Sequence, residues 1–167
     1  MDTKCIFALG NPGKEYCDTR HNVAQWVFSY LGRRSLLNWE VKQKLFANIC
    51  SWVTDSPRQK LMLVKPMVYM NESGKTVTSI CSYYGFNHSE VMVIHDELDL
   101  PPGSAKIQFG GNSAGHNGVS DIYRAFGNHN LKRLRIGIGH PRSMGLQQSV
   151  SSFVLQKPTS KETEAIQ

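Results

Sequence analysis

Val91-Met92-Val93-Ile94-His95-Asp96-Glu97 opens on four apolar residues in succession and closes on three titratable ones. A strand with one wet face alternates apolar and polar residues; an unbroken apolar run is the pattern of a strand covered on both faces, as in a parallel sheet with helices above and below. The flanking sequence fits that reading. Upstream, Val77, Ile80, Cys81 and Tyr84 fall at helical spacing, and Gly85 is placed to stop the helix. Downstream, 105–109 reads as a strand and 110–118 as a loop, and Val119, Ile122, Tyr123 and Phe126 read as the buried face of a further helix. Leu134, Ile136 and Ile138 then alternate with Arg133, Arg135 and Gly137, which predicts a strand with one polar face.

Toward the N-terminus, Cys5-Ile6-Phe7-Ala8-Leu9 is a short apolar run ended by Gly10-Asn11-Pro12-Gly13, a strand followed by a turn. Val23, Trp26, Val27, Tyr30 and Leu31 mark one face of a helix that begins just after Arg20-His21. Residues 61–64 read as a strand ended by Pro66, and 152–155 as a last short strand followed by a polar tail. Strands and helices in alternation make an α/β sheet with helices packed on it. In such sheets ligands bind beyond the carboxyl ends of the strands. The segments after Leu9, Val64 and Ile94 therefore belong together, and they carry Asn11 and His21, Asn71, and Asp96.

The length of 167 residues suits one domain, and 40% apolar with 19% charged residues excludes a disordered, collagen-like or coiled-coil chain. No apolar run approaches the roughly 20 residues of a membrane helix, and 5–9 is too short for a signal-peptide core, so the cytoplasm is the expected compartment. Cysteines at 5, 17, 50 and 81 form no C-x-x-C pair and are expected as reduced thiols. The net charge of +6 is concentrated: between residues 103 and 160, Lys106, Arg124, Lys132, Arg133, Arg135, Arg142 and Lys157 face a single acid, Asp121. That is the footprint of a polyanionic partner, or else an ordinary solvated basic face.

Five motifs then carry a resemblance. Gly10-Asn11-Pro12-Gly13 with Tyr16 and Thr19-Arg20-His21-Asn22 comes first, followed by Met70-Asn71-x-Ser73-Gly74. His95-Asp96-Glu97-Leu98-Asp99-Leu100-Pro101-Pro102-Gly103, Gly115-His116-Asn117-Gly118 and Leu134-Arg135-Ile136-Gly137-Ile138-Gly139 complete the set. In this order they resemble the motifs of bacterial peptidyl-tRNA hydrolase across nearly the whole chain. The resemblance implies a single α/β domain over 1–167, in three layers, with a twisted mixed and mostly parallel sheet and helices on both faces. It implies cleavage of the ester joining a peptide to the 3′ ribose of tRNA, by a monomer, with no cofactor, no metal and no membrane. It makes His21 and Asp96 the catalytic pair, with water as nucleophile, and sets Asn11 beside them to sense the blocked amino group. Asn71 and Asn117 hold substrate, and Tyr16 and Tyr69 contact tRNA.

The chemistry agrees with those assignments. Ester hydrolysis needs a base for water, donors for the carbonyl oxygen and a fixed substrate. An imidazole with an ordinary pKa of about 6.5 is a largely neutral base at pH 7, and a carboxylate on its far nitrogen fixes the tautomer. Asparagine amides donate and accept without titrating. His95, adjacent to Asp96 on one strand, is expected on the opposite face in a structural role. His116 is read either as a substrate contact or as a loop hydrogen bond, and Cys17 and Ser73 lack the partner base of a nucleophile. Lys106, Arg133, Arg135 and Arg142 are the candidate contacts to the tRNA body, with Arg133 and Arg135 acting together from one strand face.

Two features depart from the family pattern. The loop Gly110-Gly111-Asn112-Ser113-Ala114-Gly115 is poorer in glycine, and Gln108 stands where a basic residue is expected. The chain ends at Gln167, whereas family members usually continue into a C-terminal helix beside the cleft, so the domain is expected to be short at that end. Two competing readings are an inactive RNA-binding relative of the same fold and a metal hydrolase built on Asp96, His116 and His140.

Overall fold

The computed structural model describes residues 2–167. Seven strands are β1 (Cys5–Ala8), β2 (Glu40–Lys42), β3 (Ala47–Asp55), β4 (Arg58–Pro66), β5 (Val91–Glu97), β6 (Ala105–Phe109) and β7 (Lys132–Gly137). They form one sheet in the order β2-β3-β4-β1-β5-β7-β6. The centre is parallel, β4 with β1, β1 with β5 and β5 with β7, while β3 and β6 run against their neighbours. The helices are α1 (Val23–Gly32), α2 (Ser73–Tyr84), α3 (Asn117–Phe126), α4 (Val150–Val154) and α5 (Ser160–Ile166).

Strand alternation sorts the core into layers. Cys5, Phe7, Val91 and Val93 face α2 and α3, meeting Val77, Ile80, Val119 and Ile122. Ile6, Ala8, Met92 and Ile94 face α1, meeting Ala24, Val27, Phe28 and Leu31. The central strands are thus apolar on both sides because each side has a helix to cover, and each fully buried aliphatic or Phe side chain contributes about 2 kcal/mol. This is the three-layer arrangement expected.

The C-terminal segment differs from expectation. Residues 152–155 lie in and just after helix α4 rather than in a strand: Ser149 caps it by accepting the Ser152 N–H at 3.2 Å, and Phe153 and Val154 are both buried in a third cluster with Val23 and Ile138. Adjacent buried residues are incompatible with a half-wet strand and natural on a helix face. The polar tail is helix α5, whose start is fixed by the reciprocal cap of Thr159 and Glu162. The β3–β4 hairpin extends the sheet at a stretch where the sequence reading placed only residues 61–64. All four cysteines are free thiols. No helix among the described residues is long and apolar enough to cross a membrane.

Candidate active site

His21 and Asp96 reach each other from two elements. Asp96 lies near the end of β5 on the α1 side of the sheet, two positions beyond Ile94. His21 sits in the 3-10 turn Arg20–Asn22 that leads into α1 on that same side. Their side chains meet with Nδ1 of His21 2.7 Å from Oδ2 of Asp96, both buried. Burial works against a charged His21, but the Asp96 charge and hydrogen bond outweigh it, so the imidazole pKa is raised above its ordinary value. Burial likewise opposes the Asp96 charge; His21 and His116, by charge and hydrogen bond, hold its carboxyl well below the usual carboxylate range. An ionised Asp96 accepts from Nδ1–H of His21 and leaves Nε2 with a lone pair and no protein partner among the described residues.

His116 occupies the other carboxylate oxygen, its Nε2 lying 2.7 Å from Oδ1. Its Nδ1 accepts the Val119 N–H at 3.2 Å and so caps α3. An acceptor at Nδ1 places the proton on Nε2, and both nitrogens are then committed. The sequence reading leaves His116 between substrate contact and loop hydrogen bond; the structure gives it hydrogen bonds, to the Asp96 carboxylate and the Val119 N–H. His95 is on the opposite face, as strand alternation requires, and there its Nδ1 donates to the Asp96 carbonyl at 2.8 Å and its Nε2 accepts from Arg133 at 3.0 Å. Burial first, then the His116 imidazole, push the His95 pKa down to about 3.

The segments that carry the three asparagines meet at the 3-10 turn Met70–Glu72. Asn11 is buried with Oδ1 accepting the Met70 N–H at 2.7 Å, while its backbone N–H and C=O both bond the Asn22 amide at 2.9 Å. That fixes the Asn11 amide orientation and leaves its NH2 group as a donor. Gly118 permits the next approach: a Cβ there would lie 2.6 Å from the Met70 sulfur and 2.9 Å from Leu9 Cδ1. A side chain at 118 would push against these buried groups, so glycine suits the close approach of the start of α3, with Asn117 as its first residue, to the turn that carries Asn71. Asn71 and Asn117 are exposed. Tyr16 and Tyr69 form an edge-to-face pair with centroids 6.3 Å apart.

A cavity of about 250 Å³ opens beside the pair, lined by His21, Asp96, His116, Asn117 and loop 113–115. Its far wall is α4, through Val150, Ser151 and Val154. The sequence reading missed that wall because it took the segment for a strand; the Ser149 cap was the available signal.

The basic residues divide. Lys106 and Arg142 are exposed. Arg133 is 1% exposed and cannot contact a tRNA phosphate: its guanidinium donates to the Gly110 carbonyl at 2.7 Å and to His95. The polar face of β7 is covered by the loop at 110–112 rather than by water, which corrects the expectation for this residue. Arg135 is partly buried and binds Glu97 at 2.8 Å and Gln108 at 3.0 Å. Possible metal ligands gather as His21, Asp96 and His116, with ligand atoms within 4.8 Å of one another. His140 is not among them; its Nδ1 accepts the Arg142 N–H.

The sequence model of the peptidyl-tRNA hydrolase family matches residues 5–167. The chain is 42% identical over 167 residues to the peptidyl-tRNA hydrolase of Haemophilus influenzae, covering 99% of this chain and 84% of that protein. It is 42% identical over 163 residues to that of Bordetella petrii, covering 98% of this chain and 77% of the relative. The crystal structure of the Acinetobacter baumannii peptidyl-tRNA hydrolase superposes with a TM-score of 0.88 at 35% identity, over 98% of this chain and 81% of that one. With its family model matched over nearly its whole length and its fold shared with a solved member, this chain belongs to the peptidyl-tRNA hydrolase family.

Proposed function

We propose that the chain hydrolyses the ester of peptidyl-tRNA, releasing tRNA and peptide, with His21 as base and water as nucleophile. The observation that carries this is the 2.7 Å His21–Asp96 bond, which leaves the His21 Nε2 lone pair beside a cavity. Nε2 takes a proton from water as the oxygen attacks the ester carbonyl, and Asp96 stabilises the imidazolium that forms. The Asn11 NH2 group donates to a substrate carbonyl, and Asn71 and Asn117 fix the peptide and the water. The imidazolium then returns its proton to the departing ribose oxygen. A cavity of about 250 Å³ admits the ester junction but not the tRNA body, which rests outside against Tyr16, Tyr69, Lys106, Arg135 and Arg142.

The reaction needs no metal. A cation at His116 Nε2 would have to displace the proton there, and moving that proton to Nδ1 would set it against the Val119 N–H. The protein acts in the cytoplasm as a monomer, with 1–167 as one domain. The intact His21–Asp96 pair favours the hydrolase over an inactive RNA-binding relative. Incubation with N-blocked peptidyl-tRNA tests the reading: wild type is expected to release free tRNA and His21→Ala is not, and equal release by both would overturn it.

A further inference from the structure

We propose that Arg20, clamped by Glu162, is a positioning residue that locks the turn carrying His21 to the α4 wall of the site. The inference rests on the hydrolase reading above and names what holds its base in place.

Arg20 precedes His21 in the same 3-10 turn and is only 4% exposed. Its backbone N–H donates to the Gln156 carbonyl at 3.0 Å, just past the end of α4. Its Nη1 donates to the Phe153 carbonyl at 3.0 Å, and the guanidinium lies 3.9 Å from the centroid of the Phe153 ring. Nη2 reaches the Glu162 carboxylate of α5 at 2.9 and 3.3 Å. Glu162 is itself held by its own helix, since Oε1 also accepts the Thr159 N–H at 3.2 Å. One planar fork therefore joins three segments: the catalytic turn, α4 and the first turn of α5.

This is a poor arrangement for stability alone. The pair is buried and the Arg20 Nε has no hydrogen-bond partner, so part of the desolvation of the guanidinium is uncompensated. Apolar side chains of similar volume would fill the space at no such cost, but they would not fix the angle between the turn and α4. That angle matters because Val150, Ser151 and Val154 face His21 across the cavity. A shift of α4 against the turn alters the space in which water meets Nε2, and small misplacements of reacting groups are expensive in rate.

The test compares Glu162→Gln, Arg20→Lys and Thr159→Ala, the last removing only the hydroxyl cap of α5. Turnover of peptidyl-tRNA is measured well below each melting temperature, alongside the imidazole N–H resonance of His21. Glu162→Gln and Arg20→Lys are expected to lower kcat at least about tenfold with KM within about twofold, and to shift or broaden the His21 Nδ1–H signal. Thr159→Ala is expected to lower Tm with kcat unchanged. Wild-type kcat and a wild-type resonance in both charge variants would make the pair purely structural and overturn the inference. Failure of wild type itself to cleave peptidyl-tRNA would instead strike the hydrolase reading, and the resonance would still report on positioning. Should the charge variants not fold, hydrogen exchange in wild type decides: the amides of Arg20 and Phe153 are expected to open in one event, and independent opening would overturn the proposal.

Discussion

His116 and Asp96 are joined by a 2.7 Å bond from Nε2 to Oδ1, so the carboxylate that orients His21 has both oxygens engaged. The same His116 ring caps α3 through Nδ1. A continuous run of hydrogen bonds thus connects the start of α3 to His21, and Asp96 cannot rotate without breaking one end of it. A carboxylate held from two sides keeps the His21 Nδ1 proton in one place, which is what a neutral base at Nε2 requires.

His21→Ala is expected to reduce kcat at least about a hundredfold while folding and tRNA affinity stay near wild type. The side chain makes one polar bond to the protein, to Asp96, so its loss removes the base and little of the core. Single-turnover cleavage with parallel filter binding separates the two effects, and a change confined to affinity would contradict the assignment.

The pH profile follows from the raised His21 pKa. The active form is neutral imidazole, so kcat/KM rises with pH and levels off above that raised value, with its inflection above about 6.5. In Asp96→Asn the charge that raises the pKa is gone while burial, which lowers it, remains. The inflection is expected below about 6.5, with a lower plateau because the imidazole no longer has one favoured tautomer. An inflection unmoved by the substitution would show that another group controls the profile.

Exhaustive chelation is expected to leave activity unchanged. Asp96, His21 and His116 lie close enough to suggest a metal cluster, but both Asp96 oxygens, His21 Nδ1 and His116 Nε2 are engaged in hydrogen bonds within the trio, which leaves only His21 Nε2 open. Loss of turnover with EDTA and recovery with zinc would reverse that conclusion.

His95 carries a pH dependence of stability. Its folded pKa of about 3 lies below the unfolded value of about 6.5, so between those limits the unfolded chain binds a proton that the folded chain refuses. Stability is therefore full above about 6.5 and falls as the pH drops toward about 3, by an amount on the order of a few kcal/mol. Chemical denaturation of wild type and His95→Asn across that window is expected to show a flatter curve in the variant.

The central fold was readable because both faces of β1 and β5 are buried, which writes itself as unbroken apolar runs in 5–9 and 91–94. Asn11, His21, Asn71 and Asp96 are legible as candidates because they lie at or beyond the apolar runs of strands and match family motifs, Asn117 by its motif alone; the sequence does not show that His21 and Asp96 meet, and the structure does. What escaped was set by tertiary context. Alternation along β7 gives a polar face but not what covers it, so the sequence offers Arg133 to the tRNA body whereas the Gly110 carbonyl and His95 take it. The helix at 150–154 is too short for a helical period to show. The Arg20–Glu162 pair spans residues far apart in sequence; Arg20 stands in a motif and Glu162 in the cap with Thr159, but neither local pattern says that the two meet.

Binding of the tRNA body is expected to depend on Lys106 and Arg142, the exposed pair among the four basic candidates, and not on Arg133. Each phosphate contact releases counterions, so affinity falls with salt in proportion to the contacts made. Replacing Lys106 and Arg142 by Gln together is expected to weaken tRNA binding for any tRNA sequence and flatten the salt slope by up to about two phosphate contacts, with little effect on a minimal substrate lacking the tRNA body. Arg135 contributes less, because Glu97 at 2.8 Å already balances its charge. Arg133→Gln behaves differently: it leaves the His95 Nε2 without its donor and the Gly110 carbonyl with the Gln108 amide alone, so it costs about 2 kcal/mol of stability while the salt slope stays as in wild type. An unchanged slope in the Lys106 and Arg142 double variant would make the basic third of the chain a solvated surface, and a flattened slope in Arg133→Gln would mean the loop at 110–112 opens to admit the phosphate.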